Sequence, residues 1–477
     1  PMRHKLIPSP ALRLTLSALA LASLAACAHF DNEAPKAQLL DAAAVGLQGQ
    51  PEPAIAADWW RGFGDAQLTA LVEQSLANNP NLRVAQARLA RVQAAFDGVR
   101  GNDLPTVGLG ADLTHQRFSN NFIYPPPLGG AILDSGTLQA NASWELDFFG
   151  KNRAALDAAI GQVRAAQADA QAARMLMASN VARSYFQWVK VNAQLAVAER
   201  TLAQREQAKK LVQDRLSAGL DTQLELQQSE SALPDARLQI ELLKEQQALT
   251  LNALSALSGQ QKAPLALVPP ATDAIKPVAN ATAIPIDLLG RRADIAAARW
   301  RVEAATQDVA NAKTLFYPNV NLVAFAGLQS IGFDKLLKSG SEQWGVGPAI
   351  RLPLFEAGHL RANLRGKSAD LDGTIESYNA LVVDAVRDVA DQLASSQAIT
   401  RQQAEQSSAQ TSAETAYSIA LQRYKAGLGT YLNVLSSETS VLAQRRQAVD
   451  LAARALDTQV QLNRSLGGGF TPNSTAL

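Results

Sequence analysis

Arg215-Leu-Ser-Ala-Gly-Leu-Asp-Thr222 returns 208 positions later as Arg423-Tyr-Lys-Ala-Gly-Leu-Gly-Thr430. The match continues outward in both directions. Leu224, Ser229, Glu230 and Arg237 pair with Leu432, Ser437, Glu438 and Arg445. Gly150, Arg153 and Ala154 pair with Gly358, Arg361 and Ala362, and Gly259 pairs with Gly467. Further upstream the offset becomes 213: Pro105 and Val107 meet Pro318 and Val320, and Leu82 meets Ile295. Self-similarity on this scale predicts an internal two-fold repeat. Each half reads as helix, strand, loop, strand, long helix, turn, long helix.

The long helices announce themselves by what they lack. From Lys151 to Ala218 the only glycine is Gly161, and there is no proline. A helix over that stretch is about 100 Å long at about 1.5 Å per residue. Met177, Val181, Tyr185, Trp188, Leu195 and Leu202 recur at helical spacing, a coiled-coil-like stripe. A second segment, Arg361–Ala426, is interrupted by Gly366 and Gly373. A third, Thr430–Leu466, carries Leu435, Leu442, Val449 and Leu456 in heptad register. Heptads of this kind need partner helices to cover them. Pro234, inside the helix that follows Thr222, removes a donor and predicts a bend.

Between the helices the periodicity switches to two. Val107, Leu109, Ala111 and Leu113 alternate with polar residues or glycine. So do Leu138, Ala140, Ala142, Trp144, Leu146 and Phe148. Val320, Leu322, Ala324 and Ala326 form a third run; Trp344, Val346, Ile350, Leu352 and Leu354 form a fourth. Each run is about the length of a tilted membrane-crossing strand, although a half-buried soluble sheet would alternate in the same way. The connections 118–135 and 328–343 are rich in Pro, Gly, Ser and Asn, as exposed loops are. Four strands cannot close a barrel, and an open edge in lipid leaves its N–H and C=O groups unpaired. Further copies of the chain must complete the sheet. Three copies give 12 strands, an even number in the range of outer-membrane barrels.

Cys27, the only cysteine, closes Leu24-Ala25-Ala26-Cys27 behind a basic and then apolar N-terminal segment. That order reads as a signal peptide over 1–26, and its end resembles a bacterial lipobox. Several acyl chains on Cys27 would give a stable anchor, since each buried methylene contributes about 0.8 kcal/mol. The following Ala28 resembles an outer-membrane sorting signal. Removal of 1–26 takes Arg3, Lys5 and Arg13 and no acid, leaving 41 basic residues against 43 acidic. There is no basic excess for a nucleic-acid partner. One cysteine excludes an intrachain disulfide, and His29, His115 and His359 form no metal-ligand pattern. No cofactor is expected beyond the lipid on Cys27. After the leader, no apolar run reaches the roughly 20 residues of a membrane helix.

At this point the chain resembles the TolC-like outer-membrane efflux factors, in the lipoprotein branch typified by OprM and NodT. The resemblance spans the chain after the leader. It is carried by the lipobox, Trp59-Trp-Arg-Gly-Phe-Gly-Asp65, Asn79-Pro-Asn81, Trp144-Glu-Leu-Asp-Phe-Phe-Gly150, Tyr317-Pro-Asn319 and the paired Ala-Gly-Leu-x-Thr turns. Arg291-Arg-Ala-Asp-Ile295 departs slightly from the family's usual form. The resemblance implies a fold that is mixed all-α plus membrane β. A trimeric 12-stranded transmembrane barrel, four strands per chain, continues into a long coiled-coil periplasmic tunnel. It implies a passive exit duct, not an enzyme, in the outer membrane of a Gram-negative bacterium. The implied partners are two further copies of the chain, outer-membrane lipid, a periplasmic adaptor and an inner-membrane transporter of RND or MFS type. The cargo would be drugs and other small molecules.

The resemblance also assigns sites. Gly219, Leu220 and Thr222, with Gly427, Leu428 and Thr430, would form the tips on which the adaptor docks. Gly219 and Gly427 permit the reversal, Thr222 and Thr430 can cap the next helix, and each leucine either awaits a partner or packs internally. The family's closed tip joins a tyrosine, an acid and an arginine. Tyr424 and Glu225 match the first two, and Gly429 stands where some members carry the arginine. A packing ring and a solvated acid are the alternative roles. Asn433 and Ser436 match gate positions that are often acidic and are neutral here.

The expected organisation is a leader at 1–26, a lipidated extended segment at 27–64 and a first repeat at 65–270. A linker at 271–285, a second repeat at 286–466 and a tail at 467–477 follow. Two rivals share some of these signals: a protein-secretion duct, and a periplasmic coiled-coil lipoprotein scaffold that never spans the membrane. The scaffold does not account for the alternating strands. No nucleophile or metal motif supports an enzyme.

Overall fold

The computed structural model describes residues 34–41, 45–47, 55–121, 123, 125–259, 265–270, 275, 284–285, 287–353, 355–356 and 358–470. The leader, Cys27, Leu354 and residues 471–477 lie outside them. The chain opens with two helices, α1 (Ala66–Asn78) and α2 (Pro80–Gly101), then a hairpin of β1 (Thr106–Arg117) and β2 (Ile132–Glu145). Helices α3 (Lys151–Ser217) and α4 (Gln223–Leu257) form a long helical hairpin. The order then recurs, with a single helical turn at Leu288–Arg291 where α1 stood: α5 (Ala293–Thr314), β3 (Asn319–Ile331), β4 (Glu342–Arg351), α6 (His359–Lys425) and α7 (Tyr431–Ser465). Helices α3 and α6 each have 67 residues, and α4 and α7 each have 35.

The sequence motifs explain how the first helices dock. A 3₁₀ turn at Trp59–Phe63 buries Trp59, Trp60 and Phe63 against Tyr185, Phe186 and Trp188 of α3. Phe63 and Phe186 meet edge to face at 5.0 Å, a favoured aromatic geometry. Asp65 caps α1 by accepting from the amides of Gln67 and Leu68, and its other oxygen accepts the Tyr185 hydroxyl at 2.6 Å. Asn79 caps α2, with Pro80 at its first position, and donates its amide to the Leu257 carbonyl at the end of α4. One short polar residue therefore starts a helix and ties it to the first hairpin. Where α3 crosses α5, Gly161 admits Ala304: a Cβ on Gly161 would stand 2.9 Å from that of Ala304. Helix α6 meets α5 through Val302 and Val309 against Leu364, Leu371 and Ile375. The extended segment before the Trp turn lies along α6, where Lys36 and Ala37 donate to Asp372 and Leu40 donates to Asn379.

The four strands make one antiparallel sheet in the order β1-β2-β3-β4. Leu109 stands opposite Ala140, Ala140 opposite Ala326, and Ala326 opposite Trp344. Most apolar positions therefore line one face, with Val323 and Phe325 on the other. Gln139, Asn141, Asn321 and Gln343 line the other, and Gln343 bonds Gln139 there at 2.9 Å. Phe325 lies over Gly345 on that face. Strands β1 and β4 are edges without a neighbour among the described residues. Three of the strands run past the ten or so residues of their apolar alternation, and the loops shrink to 118–131 and 332–341. The extra rungs bring in polar side chains: His115 faces Asp134 across the β1–β2 ladder at 2.7 Å, and Gln116 and Arg117 stand opposite Leu133 and Ile132. Backbone pairing continues where side-chain hydrophobicity stops, so alternation alone underestimates strand length. No helix among the described residues is long and apolar enough to cross a membrane.

Helix α4 runs through Pro234 to Leu257. Beside the proline, Arg205 of α3 donates to the Ala232 carbonyl at 2.8 Å and fastens this part of α4 to its neighbour.

Candidate functional site at the helical tips

Two turns end the long hairpins, built alike. At the first, Gly219 has φ +71°, and at the second Gly427 has φ +73°. The Gly219 amide donates to the Leu216 carbonyl at 3.0 Å and that of Leu220 to Arg215 at 2.9 Å. The Gly427 and Leu428 amides donate likewise to Tyr424 at 3.0 Å and Arg423 at 2.8 Å. This is the Schellman arrangement, which needs a left-handed residue that glycine supplies without strain. It leaves the following leucine pointing away from the helix pair. Leu220 is 64% exposed and Leu428 69%. Leu224 and Leu432, one turn on, are also exposed; they were matched in the sequence without being marked as surface leucines.

The helices that follow start differently. Thr222 caps α4, and its backbone amide donates to Glu225 at 2.9 Å, completing a capping box. The Glu225 carboxylate is held below the usual range by the Thr222 hydroxyl and then by backbone amides. Thr430 makes no side-chain cap. Asn433 and Ser436 are exposed on the first turns of α7.

The acid that meets Tyr424 is Asp221, not Glu225. The Tyr424 hydroxyl donates to Asp221 Oδ2, while Glu225 is engaged by its own helix start. Arg215 Nε donates to the same Asp221 oxygen at 3.1 Å and Nη2 to the other at 3.3 Å. The Arg215 guanidinium also sits 4.6 Å from the Tyr424 ring centre, within cation–π range. Tyrosine, acid and arginine thus come together, with Arg215 of α3 supplying the cation that Gly429 does not. Arg215 and Asp221 both lie in the repeated octapeptide, and the residue corresponding to Asp221 in the second half is Gly429. That asymmetry is the signal that could have found the pair.

This cluster joins the two hairpins. Tyr424 is buried between them with Val212, Tyr431 and Val434. Burial, followed by the bond to Asp221, drives the Tyr424 phenol well above its ordinary range. Burial and the charge of Glu438 push Tyr431 up to about 12. Higher along the hairpins, Arg205 reaches buried Glu438 at 3.3 Å, and Arg445 reaches Glu414 at 2.8 Å and Gln204 at 3.1 Å. Among the described residues no group of three or more His, Cys, Asp or Glu is placed to hold a metal ion. The tip can bind and hold; it carries no assembled nucleophile or acid–base pair.

The family model for outer membrane efflux protein matches residues 71–260 and 284–468. The chain belongs to the outer membrane efflux protein family. A relative in Escherichia coli O157:H7, the multidrug resistance outer membrane protein MdtQ, is 30% identical over 92% of this chain and 93% of its own. The multidrug resistance outer membrane protein MdtP of Shigella flexneri is 32% identical over 95% and 94%. Among solved structures, the outer membrane protein VceC of Vibrio cholerae is 35% identical, with a TM-score of 0.79 over 87% of this chain and 100% of that one. Family membership places this outer membrane efflux protein in the outer membrane of a Gram-negative cell and makes it a transport duct.

Proposed function

We propose that three copies of this chain form the exit duct of a tripartite pump that moves drugs and other small molecules out of the periplasm. Each copy contributes two equivalent halves and four strands to a 12-stranded barrel. The hairpins of all three copies make the tunnel below it. A periplasmic adaptor docks on the tips, and an inner-membrane transporter of RND or MFS type supplies the energy. Acyl chains on Cys27 anchor the chain beside the barrel.

The observation that carries this reading is the sheet. It has an apolar face, a polar face and two open edges, and an open edge is not tolerated in lipid. Closing it with further copies turns the apolar face to the bilayer and the polar face to a lumen. The α3 and α6 hairpins then extend the lumen by about 100 Å. The Tyr424–Asp221–Arg215 cluster ties the two hairpins of one copy together at the tunnel mouth and holds it shut. Asn433 and Ser436 add no charge there, so the mouth has no acidic ring at these positions.

Electron microscopy of the detergent-extracted protein tests the proposal. The expected result is a three-fold hollow particle about 140 Å long, combining helix and bilayer-thickness barrel. A lumen-free rod would overturn it. Mass spectrometry of the extracted chain, expected to begin at an acylated Cys27, tests the anchor.

A further inference from the structure

We infer that the β-seam between two copies of this chain is a displaced copy of its own β2–β3 seam, so that β4 of one copy meets β1 of the next in a defined register. This rests on the proposed ring of equivalent halves and adds which residue faces which.

The displacement can be checked inside the chain. Strands β1 and β3 correspond at an offset of 213, and the β2 and β4 regions at 208. Applied to the first hairpin, these offsets carry Thr106↔Ser143 onto Asn319↔Arg351 and Val107↔Ala142 onto Val320↔Ile350. Those are the pairs found in the second hairpin, with no slip. Applied to the β2–β3 ladder, they carry Asn141↔Phe325 onto Ala349 opposite Asp112. Ala142↔Ala324 becomes Ile350 opposite Ala111, and Trp144↔Leu322 becomes Leu352 opposite Leu109.

Side-chain facing agrees with this register. The apolar face of β4 carries Trp344, Val346 and Ile350, and that of β1 carries Val107, Leu109 and Leu113, all exposed. The derived register sets apolar face beside apolar face and polar beside polar. A slip of one residue would turn every side chain of one strand to the wrong side. Pro348 falls opposite Leu113 and has no N–H, so the new ladder has one rung fewer.

The helices point the same way. Within the chain, α7 meets α3 through Lys190–Asp450 at 3.0 Å and Arg183–Asp457 at 2.6 Å. The offset of 208 moves the two aspartates onto Leu242 and Leu249 of α4, which are 51% and 60% exposed. Their counterparts across the displaced seam are Ala398 and Asp391 of α6. Thus α4 presents leucine where α7 presents a paired acid, as a face awaiting cover by a second copy does.

The test is disulfide trapping in outer membranes. A directly opposed pair on neighbouring strands brings Cβ atoms about 4.5–5.5 Å apart, close enough for a disulfide with a small shift. The A349C/D112C chain should give covalent dimers and trimers on oxidation. A349C/G110C and A349C/T114C, each displaced by two residues, should give at least tenfold less. A349C alone and D112C alone control for Cys27. Trapping mainly in a displaced pair would overturn the register, as would a native-gel trimer of A349C/D112C that forms no disulfide. Absence of any trimer from the wild-type chain would instead overturn the proposed duct.

Discussion

Asp221 serves two partners from different helices, accepting from Tyr424 of α6 and from Arg215 of α3. Removing the carboxylate therefore does more than removing either donor. Asp221→Ala leaves the Arg215 guanidinium without its counter-charge, and breaking a pair of this kind costs about 3 kcal/mol. Tyr424→Phe removes one hydrogen bond, worth about 1 kcal/mol. Thermal unfolding should rank Asp221→Ala below Tyr424→Phe below wild type, and both variants should raise single-channel conductance in planar bilayers. The phenols give a second readout. An unfolded tyrosine ionises near pH 10, whereas folded Tyr431 is pushed up to about 12. Its neutral form is favoured by the fold, so this stability is complete below pH 10 and is lost as pH rises toward 12. Ultraviolet titration should show phenols ionising late, and Tyr431→Phe should remove one of them. At this scale the sequence revealed the tyrosine and the two turns but not the acid. Thr222-x-x-Glu225 is a capping-box spacing, which already assigned Glu225 a local task. Asp221, between a helix stop and a helix start, meets a helix more than 200 residues away, and no local pattern reports that contact.

The helical hairpins combine apolar stripes with a few buried charges. Arg205 bridges three helices, bonding Glu438 of α7 and the Ala232 carbonyl of α4 from its place on α3. Arg205→Ala would leave Glu438 buried without a cation, at a cost of about 3–5 kcal/mol. Unfolding of Arg205→Ala should show that loss, and Arg205→Ala/Glu438→Gln should recover part of it, because a neutral amide needs no counter-charge. The extents of α3, α6 and α7 were legible to within a residue or two, since glycine punctuates their ends and little interrupts the interiors. Strand extents were less so. Apolar alternation marks only part of β2, and Asp134, Ser135 and Thr137 continue the ladder with polar side chains. The ties of Asp65 to Tyr185 and of Asn79 to the Leu257 carbonyl also emerge only when α3 and α4 are beside them.

At the scale of the molecule, the proposed duct lets the exposed leucines of the tips separate assembly from docking. Leu220→Asp/Leu428→Asp should leave the native-gel trimer and outer-membrane yield unchanged while removing drug resistance and adaptor co-purification, because both side chains lie beyond the packed cluster of Tyr424 and Val434. Drug susceptibility of cells carrying that variant checks it. The matching turns were readable before any coordinates, because offset identities are properties of the chain itself. The open edges of β1 and β4 bear also on how the protein is made. In the proposed ring, one copy alone would have no stable resting place in the bilayer, since its edge amides would face hydrocarbon. Insertion therefore cannot come first and association second. The two must proceed together at the membrane surface, with each edge shielded until its neighbour arrives. Biogenesis becomes a meeting problem, and the yield of finished ducts should rise more steeply than in proportion to the rate of synthesis.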